Sequence, residues 1–144
     1  MTLAPKDMLC FALYSTSHAM QQSYRPLLEE LGLTYPQYLV MAALWREDGV
    51  TMGALGRDVK LTSNTLTPLV KRLEARGLIT RSRGTADERQ VRIDLTEAGR
   101  ALQSPAETVG ARFLECTGLT YEEATALHGT LVSLQDRLRA AAEG

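Results

Sequence analysis

Leu61-Thr62-Ser63-Asn64-Thr65-Leu66-Thr67-Pro68-Leu69-Val70-Lys71-Arg72-Leu73 carries the clearest structural signal in the chain. Leu66, Leu69, Val70 and Leu73 recur at steps of three and four, which is one face of a helix. Thr62 or Ser63 caps its start, it stops before Gly77, and Pro68 falls early, where a missing N–H costs least. The opposite edge offers Ser63, Asn64, Thr65 and Thr67, short hydrogen-bonding side chains, followed by the cations Lys71 and Arg72. Upstream, Asp48-Gly49 marks a turn and Thr51 caps a shorter helix whose Met52, Leu55 and Val59 face inward. Two helices joined by a tight turn, the second polar along its N-terminal edge, form a helix-turn-helix signature.

Immediately downstream, Leu78-Ile79-Thr80-Arg81-Ser82-Arg83 and Gln90-Val91-Arg92-Ile93-Asp94-Leu95 alternate at period two around Gly84-Thr85-Ala86-Asp87-Glu88-Arg89. This pattern predicts a two-stranded hairpin with a polar, Arg-tipped loop, marginal unless it packs on helices. Helix-turn-helix plus such a ribbon is a winged helix. Charge is concentrated in the same place. The stretch from Arg57 to Arg92 carries +5 and the remainder −6, within a net charge of −1. Charge alone equally describes a solvated face; the scaffold beneath it tips the reading toward phosphate.

Working outward, Leu9, Leu13, Thr16, Met20, Tyr24, Leu27 and Leu31 mark one stripe of a long helix, with Pro26 predicting a kink or break near Ser23–Tyr24 and Gly32 ending the segment. Thr34 with Gln37 is a capping box for a helix from Tyr35 to about Arg46, apolar nearly all round and therefore central. Beyond the wing, Thr96 reopens helix, with Ala98, Leu102, Val109 and Phe113 on one face and a kink predicted at Pro105. After Gly118, Thr120 with Glu123 caps a last helix carrying Ala124, Leu127, Leu131, Leu134, Leu138 and Ala141. These terminal stripes pack either within the chain or on a second copy. Because they flank a winged helix that has its own core, a two-fold dimer is the expected partner.

The predicted fold is mainly α: one domain over 1–144, with 34–96 as the winged helix and 1–33 and 97–144 as a helical dimerisation region. At 144 residues, 44% hydrophobic and with two Cys, the chain is not collagen-like, disordered or a disulfide framework. No apolar run approaches the ~20 residues of a membrane span, and the start lacks a basic segment followed by an apolar stretch, so a cytoplasmic protein with no membrane partner is expected. His18 and His128 are isolated and read as structural. With no third ligand and no Cys-x-x-Cys, neither metal nor cofactor is expected. No Gly-rich phosphate loop or Ser/His/Asp constellation points to an enzyme.

On the 35–46 helix, the 61–73 run, the Arg76-Gly77-Leu78-Ile79 exit, Asp87-Glu88-Arg89 in the wing and Leu95-Thr96-Glu97-Ala98-Gly99 behind it, the sequence resembles the MarR family of bacterial winged-helix repressors. Within it, Leu9-Cys10-Phe11-Ala12-Leu13-Tyr14 and Leu33-Thr34-Tyr35-Pro36-Gln37-Tyr38 are similar to the OhrR subgroup, which senses organic hydroperoxides. The resemblance implies that Cys10 is a peroxidatic thiol, hydrogen-bonded across a homodimer by Tyr24 and Tyr35. It also implies that Cys116 lies where a two-cysteine branch carries a resolving thiol.

The residues allow this chemistry without compelling it. Cys10 lies in the first turns of its helix, where unpaired N–H groups and the dipole favour an anionic sulfur. Cys10 and Tyr24 share a helical face but lie ~21 Å apart along a straight axis, so their contact needs a partner subunit or a break that folds the helix back. Leu9, Phe11, Leu13 and Met20 supply an apolar lining suited to an alkyl or lipid hydroperoxide, and Tyr14 either joins it or merely packs. A lone Cys on an apolar helix also reads as a small core residue, and Cys116 stands open between resolving thiol and packing. On DNA, Ser63, Asn64, Thr65 and Thr67 are expected at base edges or nearby phosphates, with Lys71, Arg72 and the wing's Arg83 as cations. Arg89, buttressed by Asp87, is expected in the minor groove. The predicted function is a repressor on a pseudo-palindromic double-stranded operator, released when organic hydroperoxide oxidises Cys10. Rival readings are release by a small phenolic ligand with Cys10 structural, a thiol peroxidase, and a protein–protein adaptor.

Overall fold

The computed structural model describes residues 2–83 and 90–144 and is mainly helical. After a 3-10 turn over Pro5–Asp7, α1 spans Leu9–Glu29. Of the kink or break expected near Ser23–Tyr24, the break is absent: Pro26 lies inside a continuous helix. Pro26 forfeits its own helical N–H bond, and buried Leu27 and Leu28 pin that end to the core so that the helix continues. The chain then reverses through a Schellman turn, Gly32 N–H donating to Glu29 O (3.0 Å) and Leu33 N–H to Leu28 O (3.1 Å). Gly32 has φ +68°, which glycine adopts without steric cost.

Helix α2 (Tyr35–Arg46) starts at the expected capping box: Gln37 N–H donates to Thr34 Oγ1 (3.3 Å) and Thr34 N–H to Gln37 Oε1 (3.0 Å). It is central as predicted, with Val40, Met41 and Leu44 fully buried. Strand β1 (Val50–Thr51) leads into α3 (Met52–Val59), capped by Thr51, which accepts from Ala54 N–H at 3.1 Å. Lys60 takes the left-handed conformation (φ 56°) in the tight turn, and α4 spans Ser63–Ala75 with Leu66, Leu69, Val70 and Leu73 inward.

Strands β2 (Ile79–Arg83) and β3 (Val91–Leu95) pair antiparallel, from Arg83 opposite Val91 to Ile79 opposite Leu95. The described sheet has three strands rather than the expected two, in the order β1-β3-β2, because Val50 pairs with Ile93 and Thr51 with Arg92. Asp48 holds this corner: its Oδ1 accepts from Leu95 N–H at 2.8 Å and from Gly49 N–H at 2.8 Å. Two residues are too few for a period-two pattern to show.

Thr96 caps α5 (Glu97–Ala101), and α6 follows over Gln103–Thr117. The interruption falls at Leu102 and not at Pro105, because a proline in a first turn costs little while its ring conflicts with the carbonyl four residues back, that of Ala101. The backbone divides into two units, Met1–Val109 and Gly110–Gly144. The second holds the end of α6, Gly118 at φ +72° and α7 (Tyr121–Glu143), which begins at the predicted Thr120/Glu123 capping box. Leu127 and Leu138 on α7 are exposed. Among the described residues, no helix is long and apolar enough to cross a membrane.

Candidate functional site

The start of α4 presents Ser63, Asn64 and Thr65 exposed and Thr67 half-buried. Thr62 precedes the helix without capping it through its side chain; its hydroxyl lies 3.4 Å from that of Thr65. Beside this end runs a groove of about 370 Å³, lined by Gly56, Arg57, Lys60, Thr62 and Ser63 among others. Lys71, Arg72 and Arg83 are exposed on the same helix and the adjoining strand. Asp87 and Arg89, expected at the wing tip, lie outside the described residues.

The basic charge of this region splits into two classes that sequence could not separate. Arg81 pairs with Glu74 (2.9 Å), and that hydrogen bond holds the Glu74 carboxyl below its ordinary range. Arg92 pairs with Asp94 (3.1 Å), and Arg76 donates to the Gly32 carbonyl. These three cations hold partners within the fold, although Arg76 and Arg92 are themselves exposed like Lys71, Arg72 and Arg83.

The structure places Cys10 in the first turn of α1, exposed. Around it Leu9, Phe11, Leu13 and Tyr14 are exposed too, and the Tyr14 ring meets His18 edge-on with centroids 4.7 Å apart. Tyr24 and Tyr35 are brought together, rings 5.1 Å apart, joining the far end of α1 to the start of α2. Since α1 is unbroken, Cys10 stays about 21 Å along the axis from Tyr24 of its own copy. Burial, then the neighbouring Tyr35 and Tyr38, push the Tyr24 phenol up to about 12, and burial raises Tyr35 and Tyr38 as well. All three phenols therefore remain O–H donors at neutral pH.

Sequence reasoning missed two members of this aromatic group. Tyr38 lies 5.9 Å from Tyr24 and 6.4 Å from Trp45, ring centre to ring centre, and Trp45 Nε1–H donates to Gly99 O at 2.9 Å. The signal was present: Tyr35, Tyr38, Ala42 and Trp45 are spaced by three, four and three, one stripe of α2. Cys116, in the second unit, is exposed near the end of α6.

Residues 22–104 match the family model described as transcriptional regulator SarA/Rot. The chain is 46% identical over 134 residues to the HTH-type transcriptional regulator TtmR of Methylorubrum extorquens (strain PA1), covering 93% of this chain and 69% of that one. It is 41% identical over 133 residues to the organic hydroperoxide resistance transcriptional regulator of Bacillus subtilis (strain 168), covering 92% and 90%. Among solved structures, reduced AbfR bound to DNA superposes with a TM-score of 0.79 at 37% identity, covering 94% of this chain and 93% of that one. The disulfide-formed state of AbfR, a Staphylococcus epidermidis protein, superposes at 0.62 with 37% identity, covering 94% and 90%.

Proposed function

Because the chain belongs to the winged-helix transcriptional regulators of the SarA/Rot and MarR type, we propose that it is a redox-responsive repressor in the cytoplasm, binding a pseudo-palindromic double-stranded operator as a homodimer. In this reading residues 34–96 read DNA, while 1–33 and 97–144 supply the dimer contacts. Ser63, Asn64, Thr65 and Thr67 enter the major groove, Lys71, Arg72 and Arg83 hold phosphates, and Arg89, steadied by Asp87, reaches the minor groove.

The observation that carries the sensing half is the pairing of Tyr24 with Tyr35 at a distance from their own Cys10. Because unbroken α1 keeps Cys10 about 21 Å along its axis from Tyr24 of the same copy, the thiol that meets this tyrosine pair comes from a second copy. There the thiolate attacks the outer oxygen of an organic hydroperoxide, the O–O bond breaks, and the alkoxide leaves and takes up a proton as an alcohol. The resulting sulfenic acid condenses with the Cys116 thiol, releasing water and forming a disulfide between copies. The similarity to an organic hydroperoxide resistance regulator, and to a protein seen both reduced on DNA and in a disulfide state, supports this sequence of events. If the reduced form binds DNA ~100-fold better, the coupling is ~2.7 kcal/mol, within reach of a few displaced hydrogen bonds.

Cys10→Ser should still bind operator yet ignore cumene hydroperoxide, whereas the wild type dissociates; normal dissociation of the variant would remove Cys10 from the mechanism. Non-reducing electrophoresis after peroxide should show a band at twice the monomer mass that Cys116→Ser loses. A second reading, release by a small aromatic ligand, is favoured by a cavity of about 440 Å³ lined by Gln21, Leu28, Leu33, Thr34, Tyr35 and Pro36 among others. Ligand-driven release of the Cys10→Ser protein would select it.

A further inference from the structure

Arg76 caps the C-terminal end of α4, its N–H donating to Arg72 O at 3.1 Å, before Gly77 (φ +75°) turns the chain toward β2. Its guanidinium does not stay with its own helix. Nη1 donates to the carbonyl of Gly32, and Nη2 lies 3.5 Å from that of Leu31. Both carbonyls sit in the turn between α1 and α2. They follow the last helical turn of α1, and the first bond of α2 is made two residues after Gly32, Tyr38 N–H to Thr34 O at 2.9 Å. Arg76 thus fills acceptors that neither helix uses. Gly32 makes room for it: a Cβ there would stand 2.9 Å from Nη2. Three residues beyond Gly32 is Tyr35, whose ring meets that of Tyr24 at a tilt of 43°.

We infer that Arg76 is a positioning residue for DNA reading, holding α4 on the α1–α2 corner without touching DNA itself. It stands about 20 Å along the helix axis from Ser63, at the end of α4 opposite the edge assigned to base reading. A planar fork spanning two neighbouring carbonyls fixes both the tilt and the rotation of the helix end, which a single-point ammonium fixes less well. The inference rests on the proposed binding of double-stranded DNA and concerns how its register is held.

The experiment uses the full-length protein, a duplex selected by the wild type from a random library, and a scrambled duplex of the same length. Affinities for both are measured for wild type, Arg76→Met and Arg76→Lys across a salt series, well below each variant's melting temperature. Arg76→Met should bind the selected duplex about tenfold more weakly, keep its affinity for the scrambled one, and leave the salt slope unchanged; Arg76→Lys should recover part of the loss. Equal weakening on both duplexes with a slope smaller by about one marks a phosphate contact and overturns the inference. So does an Arg76→Met protein that reads the selected duplex as well as wild type. A wild type that selects no duplex overturns the DNA-binding reading and this inference with it.

Discussion

Residues 34–96 and the first turns of α1 are both rich in apolar side chains, yet the chain treats them in opposite ways. In the former, Val40, Met41, Leu44, Val70, Leu73 and Ile93 retain no exposure, and the corners are tied down: Asp48 on Leu95, Thr96 Oγ1 on Gly77 O at 2.6 Å, and Trp45 on Gly99 just beyond the region. In the latter, Leu9 and Tyr14 are 69% and 64% exposed, with Phe11 and Leu13 beside them. The first region has its apolar side chains covered within one copy. The second is an apolar stripe without a lid, which suits a pocket completed only on assembly. In the proposed function this separates reading from sensing: a buried core on one side, and on the other an open surface whose state can change without unfolding it.

The comparison breaks most readily at Gly99. A Cβ there would lie 2.1 Å from Leu78 O and 3.2 Å from Leu95 Cδ2, so backbone itself would have to move. Gly99→Val should cost about 3 kcal/mol or more and lower the melting temperature by about 10 °C; an unchanged thermal unfolding curve would show that the closed region has slack it does not display. The open region should behave differently. Replacing Leu9 and Phe11 together by Ser removes apolar groups that stay exposed within the copy. Folding of the monomer should hardly change, while dimer dissociation, followed by sedimentation, should become easier by about 2 kcal/mol, roughly 30-fold. Equal loss in both measurements would erase the distinction.

What the sequence made legible follows the same divide. The α4 stripe, the Thr34/Gln37 and Thr120/Glu123 boxes and the period-two strands are local patterns, each set within a few residues, and each appears where it was expected. Position along a helix is also local, so the separation of Cys10 from Tyr24 was readable once α1 proved unbroken. Partnerships across 44 or more residues were not: Arg76 with Gly32, Trp45 with Gly99, Arg100 with Asp48. Composition counted nine cations between Arg57 and Arg92 without telling which ones the fold consumes. Proline was overread for a related reason. Its cost depends on whether it falls at the end or the middle of a helix, and neighbours such as Leu27 and Leu28, buried through tertiary packing, decide whether the helix continues.

A subtler probe of the closed region is acid. Partial burial of the Asp48 carboxyl opposes its ionisation, but the N–H groups of Leu95 and Gly49 and the Arg100 guanidinium outweigh it, so the group titrates below its ordinary range. A carboxyl with a lower affinity for protons in the folded than in the unfolded chain stabilises the fold above about pH 4, and this is lost as pH falls through the folded value. Asp48→Asn should lower stability at neutral pH by about 1 kcal/mol and flatten the decline on acidification. A variant whose acid limb runs parallel to the wild type would show that the corner is held by packing and not by this carboxylate.

The smallest expected effect sits in α7 and has the opposite sign. Gly129 lies inside the helix, exposed, and a Cβ there meets no heavy atom of the described residues within 4 Å. Glycine in a helix interior gives up backbone entropy that alanine does not, so Gly129→Ala should stabilise the chain by about 0.5–1 kcal/mol, read as a small rise in melting temperature at every protein concentration. The same substitution turns into a test of assembly, because a glycine on an open helix face also lets another backbone approach closely. If the variant instead melts lower, and the deficit grows on dilution, a second copy is seated against that position. The open face of α7 would then belong with the exposed turns of α1, as a surface completed between subunits.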